Sequence, residues 1–177
     1  AMKNIVSKSK VDETFPVEFA IYDLNEFLSA MSLFTNPDLD FDENFVMITE
    51  AGSSSKSLKY WFSEPSVVTT PSKEVTMPSV EVEFPMNSGI LSEVQKAAAV
   101  IGVTDKKNDT ANSYSTSLDT KSDDDSSYKF WFKVENLKLQ PGDYDVEVSE
   151  KRISHFQNKK IPIEYWIALE PESTYGK

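Results

Sequence analysis

At 177 residues the chain has room for one or two small domains, and folding at that length buries roughly 70% of the unfolded surface. Its 18 basic against 29 acidic residues leave a net charge of −11, while 39% hydrophobic and 12% aromatic content excludes a disordered protein. The absence of cysteine excludes disulfides, thiolate metal sites and cysteine nucleophiles. One histidine, His155, excludes a His–His metal pair and a multi-histidine centre. Arg152 stands alone among the lysines, which argues against bidentate arginine readout of bases and against an arginine-clamped phosphate site. No apolar run is long enough for a membrane helix, and no segment has a signal-peptide pattern. The composition reads as a soluble, acidic, intracellular protein.

Most of the chain reads as strands. Lys3–Val11 alternates weakly, and Phe15–Ile21 alternates cleanly, with Phe15, Val17, Phe19 and Ile21 on one face. Asp23 opens a helix as its N-cap, with Glu26 placed for a capping box. Leu24, Phe27, Leu28, Met31 and Phe34 form its apolar stripe, and Asn36-Pro37 ends it. Strands follow at Leu39–Phe41, Phe45–Thr49 and Leu58–Phe62. Ser63–Pro78, rich in Ser, Thr and Pro, reads as an extended linker with an edge strand at Val67-Val68. Val80–Phe84 is the next strand. A second helix runs over Ser88–Ile101, with Leu91, Val94, Ala98 and Ile101 on one face and Gly102 as its stop. The polar segment Thr104–Ser127 reads as loop with a strand near Ala111–Leu118. Tyr128–Val134, Tyr144–Val148, Ile153–Gln157 and Ile161–Leu169 complete the strands.

An internal repeat organises these elements. Asp38-Leu39-Asp40-Phe41 returns as Asp143-Tyr144-Asp145-Val146, and Lys59-Tyr60-Trp61-Phe62 returns as Glu164-Tyr165-Trp166-Ile167, both displaced by 105 residues. Upstream, the Val17/Phe19/Ile21/Leu24 pattern returns as Phe130/Phe132/Val134/Leu137, displaced by 113 residues. A shorter second helix at Glu135–Lys138, before Gln140-Pro141-Gly142, absorbs the difference. Each copy therefore runs strand, helix, strand, strand, strand. The second copy also has a strand and helix ahead, Val80–Gly102, whose counterparts in the first copy would precede residue 1. The expectation is a first domain without its opening elements.

Three segments carry a resemblance: Tyr22–Phe34, beginning Tyr22-Asp23-Leu24-Asn25, then Leu137–Tyr144 with its Gln140-Pro141-Gly142 turn, then Tyr165–Thr174. Together they resemble the sliding clamps of large tailed bacteriophages, from about Val11 to the C-terminus. The resemblance implies an α+β fold of duplicated clamp domains, mostly antiparallel sheet with a few short helices on one face. On that reading the first clamp domain is 1–65, N-terminally incomplete, the linker is 66–78, and the second clamp domain is 79–177, short of a hairpin after Gly102. It also implies a non-enzymatic DNA polymerase processivity factor, a homotrimeric ring around duplex DNA. Its partners would be a clamp loader and the C-terminal peptide of a polymerase, in the host cell cytoplasm, with no cofactor, metal or membrane.

A net charge of −11 is compatible with that role, because a ring around DNA needs only a few lysines in its hole. Lys96 and Lys138 are the candidate DNA-facing residues, followed by Lys106 and Lys107. Family analogy places a client-peptide groove at Val67, Val68, Ala168, Leu169 and Pro171.

Other motifs read as structure. Asp119 and Asp123–Asp125 lack calcium-loop spacing. Asp38/Asp40 and Asp143/Asp145 alternate with apolar residues and so mark a solvent face rather than a carboxylate pair. His155, beside Phe156 in a strand, lacks the context of a catalytic base. Tyr60-Trp61-Phe62 and Phe130-Trp131-Phe132 could stack bases, but strand alternation assigns part of each to a core. Two other readings compete with the ring: a truncated, clamp-like β-rich module that binds protein without closing on DNA, and a carboxylate-dependent hydrolase. Nothing in the sequence singles out a carboxylate pair for the latter.

Overall fold

Two antiparallel meanders, built from the repeated segments, organise the protein. The structure, a computed structural model, describes residues 4–71, 73–101 and 128–176. These fall into two compact units: Asp12–Lys73, and a discontinuous unit joining the segment up to Val11 to the chain from Glu74 onward. The fold is α+β, with mostly antiparallel sheet and two α-helices among the described residues.

In the Asp12–Lys73 unit, α1 (Leu24–Met31) precedes a sheet of β2 (Pro37–Phe41), β3 (Phe45–Glu50) and β4 (Ser53–Trp61), in the order β2-β3-β4. Alternation buries Val46 and Ile48 completely, and Phe34 almost so. Phe27, Ala30, Met31, Leu39, Phe41, Leu58, Tyr60 and Phe62 close around them. The Asp23 carboxylate accepts the Glu26 N–H at 3.0 Å, the expected N-cap. The expected apolar stripe of α1 is only half used: Phe27 and Met31 pack inward, while Leu24 and Leu28 are exposed. At about 100° per residue, Leu24 and Leu28 both lie to one side of the direction shared by Phe27, Ala30, Met31 and Phe34.

Phe15–Ile21 is not a strand. Pro16 offers no N–H to a ladder, and the segment makes one isolated bridge, with Ser63 N–H donating to Ala20 O at 2.9 Å. Its aromatics are used nevertheless: Phe19 stacks on Phe62 at 5.0 Å, and Phe15 meets Phe41 edge-on at 5.8 Å. Val67-Val68 is likewise no edge strand. Pro65–Val67 turns as a single 3₁₀ turn, for which Pro65 supplies the fixed φ.

The other unit holds a five-stranded antiparallel sheet. It contains β1 (Ile5–Ser9), β5 (Val82–Met86), β7 (Tyr144–Ser149), β8 (Ile153–Asn158) and β9 (Ile163–Ala168), ordered β1-β9-β8-β7-β5. On one face, Tyr144, Val146, Val148, Phe156, Tyr165 and Ile167 form a core with Met86, Leu139, Leu169 and Leu91 of α2 (Ser88–Ile101). Local pattern groups the N-terminal segment with the elements that follow it. Hydrogen bonding instead places β1 beside β9, Ile5 opposite Ile167.

Between β5 and β7 the expected strand Tyr128–Val134 is shorter. β6 (Tyr128–Lys129) pairs with β10 (Thr174–Tyr175), and a 3₁₀ turn at Val134–Asn136 replaces the expected helix. Beyond β6, hydrogen bonds to the C-terminal segment replace a ladder: Trp131 N–H donates to Ser173 Oγ at 3.0 Å, and Glu170 N–H to Trp131 O at 2.9 Å. The Gln140-Pro141-Gly142 turn is tied by the Tyr144 hydroxyl, which donates to Gln140 O at 2.6 Å. A Cβ at Gly142 would fall 2.5 Å from Asn158 Nδ2, so only glycine fits there. The expected strand Ala111–Leu118, and Asp119 with Asp123–Asp125, lie outside the described residues.

Candidate nucleic-acid and partner interface

The residues of α2 set out the first candidate surface. The Asp143 carboxylate accepts Ser88 N–H at 2.8 Å, and Asn87 Oδ1 accepts Ile90 N–H at 3.0 Å, so two side chains satisfy the first turn. The Ser88 N–H is the main cause holding the Asp143 carboxyl below its ordinary range. Leu91 is buried against the sheet and Val94 partly so, which turns Lys96 to solvent. Gln95 Nε2 donates to Leu137 O at 2.9 Å, tying α2 to the segment after the 3₁₀ turn. Lys138, the next residue, is also exposed. The two lysines thus belong to segments that touch, on the core side of the five-stranded sheet. Glu93, exposed on α2, is acidic, so the surface is not uniformly basic. Lys106 and Lys107 lie outside the described residues.

The residues of the client groove fare differently. Val67 is exposed and Val68 half-buried in the Asp12–Lys73 unit. In the other unit Ala168 is half-buried, and its N–H donates to Asn4 O at 2.9 Å. Leu169 faces the core at 5% exposure, packed in the cluster of the five-stranded sheet, so its side chain is not offered to a surface groove; its N–H donates to Arg152 O at 3.0 Å. Pro171 is exposed.

Sequence reasoning missed the state of the sheet edges. The matched tryptophans occupy the same place in the two meanders: Trp61 opposite Phe45 and Trp166 opposite His155. Trp61 is 63% exposed, whereas Trp166 is 7% exposed. β9 carries β1 on its outer edge, with Val6 opposite Trp166, but β4 pairs with β3 alone among the described residues. The signal available in sequence was the repeated Tyr-Trp pair, which marks equivalence but not occupancy. Among the described residues no group of three or more His, Asp and Glu side chains is arranged to hold a metal ion.

A duplicated three-strand meander, with helical segments on the core side of its sheets, defines a two-unit α+β protein of clamp type. Residues 82–171 match the family model described as gp45 sliding clamp, C terminal. The chain is 31% identical over 186 residues to the sliding clamp of Vibrio phage KVP40, covering 93% of this chain and 82% of that protein. It is 24% identical over 195 residues to the sliding clamps of Escherichia phage RB69 and Enterobacteria phage T4, covering 96% of this chain and 82% of each relative. The chain belongs to the bacteriophage sliding clamp family.

Proposed function

We propose that this clamp acts as a DNA polymerase processivity factor by closing head to tail, as a homotrimer, around duplex DNA. The observation that carries the reading is the contrast between the two meanders. β9 is completed by β1, whereas β4 has no outer partner among the described residues, beside an exposed Trp61. A strand from a second copy added to β4 would repeat the β1–β9 arrangement, and heterologous addition of that kind closes into a ring when the rotation between copies completes a circle. Lys96 and Lys138, with Lys106 and Lys107, face the DNA in this reading. The protein catalyses nothing itself, works in the host cell and is opened by a clamp loader.

The client in this reading is an apolar C-terminal peptide of the polymerase, and its candidate contacts are Val67 and Val68 in one unit and, separately, Ala168 and Pro171 in the other. The domains of this scheme are 1–65 and 79–177, joined by 66–78, except that β1 pairs with β9 and so belongs to the sheet of the second. Solution mass by light scattering, together with polymerase stimulation on a circular primed template, tests the scheme. A monomer that gives no stimulation would overturn it.

A second reading has an observation of its own. α1 carries no Lys or Arg and exposes Leu24 at 59% and Leu28 at 52%. That surface suits a protein contact better than a phosphate backbone, as in a clamp-like module that binds protein without encircling DNA. Retention of polymerase binding without stimulation on circular template would favour it.

A further inference from the structure

The two meanders present matching edges, and among the described residues only one of them, β9, carries an added strand. β1 lies on β9 through five antiparallel positions. The repeat, displaced by 105 residues, puts counterparts of all five along β4 and its next residue. Four places are alike: Ile167, Trp166, Tyr165 and Ile163 correspond to Phe62, Trp61, Tyr60 and Leu58, all apolar or aromatic. The fifth is inverted. Where β9 has Glu164, opposite Lys8 of β1, β4 has Lys59.

Charge therefore tells the two edges apart. Lys8 bonds Glu74 at 2.5 Å and faces Glu164 across the ladder, and both carboxylates favour its charged form. Glu164 Oε2 is also 2.8 Å from His155 Nε2, which orients the carboxylate on the face opposite the core. On β4 the Lys59 ammonium rests 4.0 Å from the centre of the Phe45 ring and 5.3 Å from that of Trp61, so a positive charge is held on the corresponding face. Unlike charges directly opposite one another stabilise an antiparallel pair and like charges destabilise it. A strand such as β1, laid on β4 in the same register, would set Lys8 against Lys59. An acidic residue at that place would meet its counter-charge instead.

We propose that Lys59 is the specificity determinant of the β4 edge: it turns away β1 and admits a strand of a second copy that has an acidic residue in the place of Lys8. Only the source of that strand rests on the ring reading; selection by charge is a property of the edge itself. A chain with two like meanders needs such a distinction. A β1 free to sit on either edge would join copies through the wrong pairing, and apolar and aromatic matches alone would not prevent it.

The chain has no cysteine, so a thiol introduced on β4 reports that edge alone. Lys10 N–H donates to Pro162 O at 3.0 Å just past the β1–β9 ladder, and the counterpart of Pro162 is Ser57, exposed on the same face of β4 as Lys59. The full chain with Ser57→Cys is mixed, in a thiol–disulfide buffer, with a peptide of residues 3–11 carrying Lys10→Cys. The chain is kept at a dilution where light scattering gives the 20.0 kDa of a single copy. Mixed-disulfide yield is compared for the peptide with and without Lys8→Glu, and for the chain with and without Lys59→Glu. The unaltered edge should capture the Lys8→Glu peptide about two- to fivefold more than its Lys8 form. Lys59→Glu should reverse that order, and rising salt should narrow both differences. Lys59→Gln should erase the preference, and it decides the matter where Lys59→Glu fails to fold. A preference that is the same whatever residue stands at 59 overturns the charge selection and leaves the ring reading intact. Capture of no peptide by any chain overturns both, since β4 then accepts no strand.

Discussion

The carboxylate of Asp143 accepts the backbone N–H of Ser88 at 2.8 Å, so a residue leading into β7 caps a helix 55 positions earlier in the chain. That bond links the loop before the meander to the first turn of α2 and holds the Asp143 carboxyl below its ordinary range. A group depressed in the folded state contributes stability above its unfolded value, and the contribution is lost as pH falls through the folded value. Asp143→Ala should therefore lower the thermal midpoint at neutral pH and flatten its fall on the acid side. Hydrogen exchange at the Ser88 amide, measured alongside, should quicken. A variant whose Ser88 amide stays as protected as the parent's would show that another group caps the helix.

Glu50 works the same way in the other unit. Its carboxylate accepts the Thr35 N–H at 2.9 Å and the Asn36 N–H at 2.8 Å, and these two bonds favour its charged form and hold the carboxyl below its ordinary range. Glu50→Gln should weaken this unit at neutral pH and leave it less sensitive to acid. Amide exchange at Thr35 and Asn36 checks the assignment, since both should lose protection.

Core and surface positions should separate sharply in stability. Ile167 and Ile48 are fully buried, so truncation of either to alanine should cost about 2–5 kcal/mol. Leu24→Ala, at an exposed α1 position, should stay within about 0.5 kcal/mol of the parent. Urea unfolding measures all three. A Leu24→Ala cost as large as a core cost would reveal that α1 is covered in solution.

The proposed ring closure makes Trp61 decisive. Three copies of a 20.0 kDa chain give about 60 kDa. Trp61→Glu places a charge beside the open edge of β4 and should shift the mass by light scattering toward the monomer. Trp131→Glu, a change at another exposed tryptophan (55%), should leave the mass unchanged. Equal behaviour of the two variants would remove the β4 edge from the interface.

Charge reversal tests the lysines proposed to face DNA. Lys96→Glu with Lys138→Glu should reduce polymerase stimulation at low salt and make its fall with rising salt shallower, because each lost phosphate contact removes about one unit from the salt slope. Stimulation identical to the parent across the salt series would place both lysines away from DNA.

Much of this architecture is legible in order. The strands of the two meanders follow from alternation, and α2 occupies Ser88–Ile101 because its apolar spacing has no competitor. Asp23 caps α1 as its side-chain chemistry dictates. Other local patterns mislead. Phe15–Ile21 alternates like a strand, yet Pro16 and the absence of a partnering ladder leave it irregular, held by ring contacts instead. Tyr128–Val134 shortens because its backbone is drawn to the C-terminal segment, a competition between distant groups that local patterning does not register.

Of the candidate site, the lysines of α2 and the following turn are legible as exposed because their neighbours Leu91 and Leu139 are committed to the core. Leu169 reads as a groove residue by analogy, and the fold assigns it to the interior instead.

The sequence by itself determined the duplicated order of elements, the acidic balance and the absence of thiol chemistry, since these depend on residue identity and short-range spacing. The tertiary structure alone decided that β1 joins β9 while β4 has no outer partner among the described residues, and that His155 meets a carboxylate on either side. The reason is range. Periodicity is set by neighbours a few residues apart, whereas the choice of strand partner and the burial of Trp166 but not Trp61 depend on segments more than a hundred residues away.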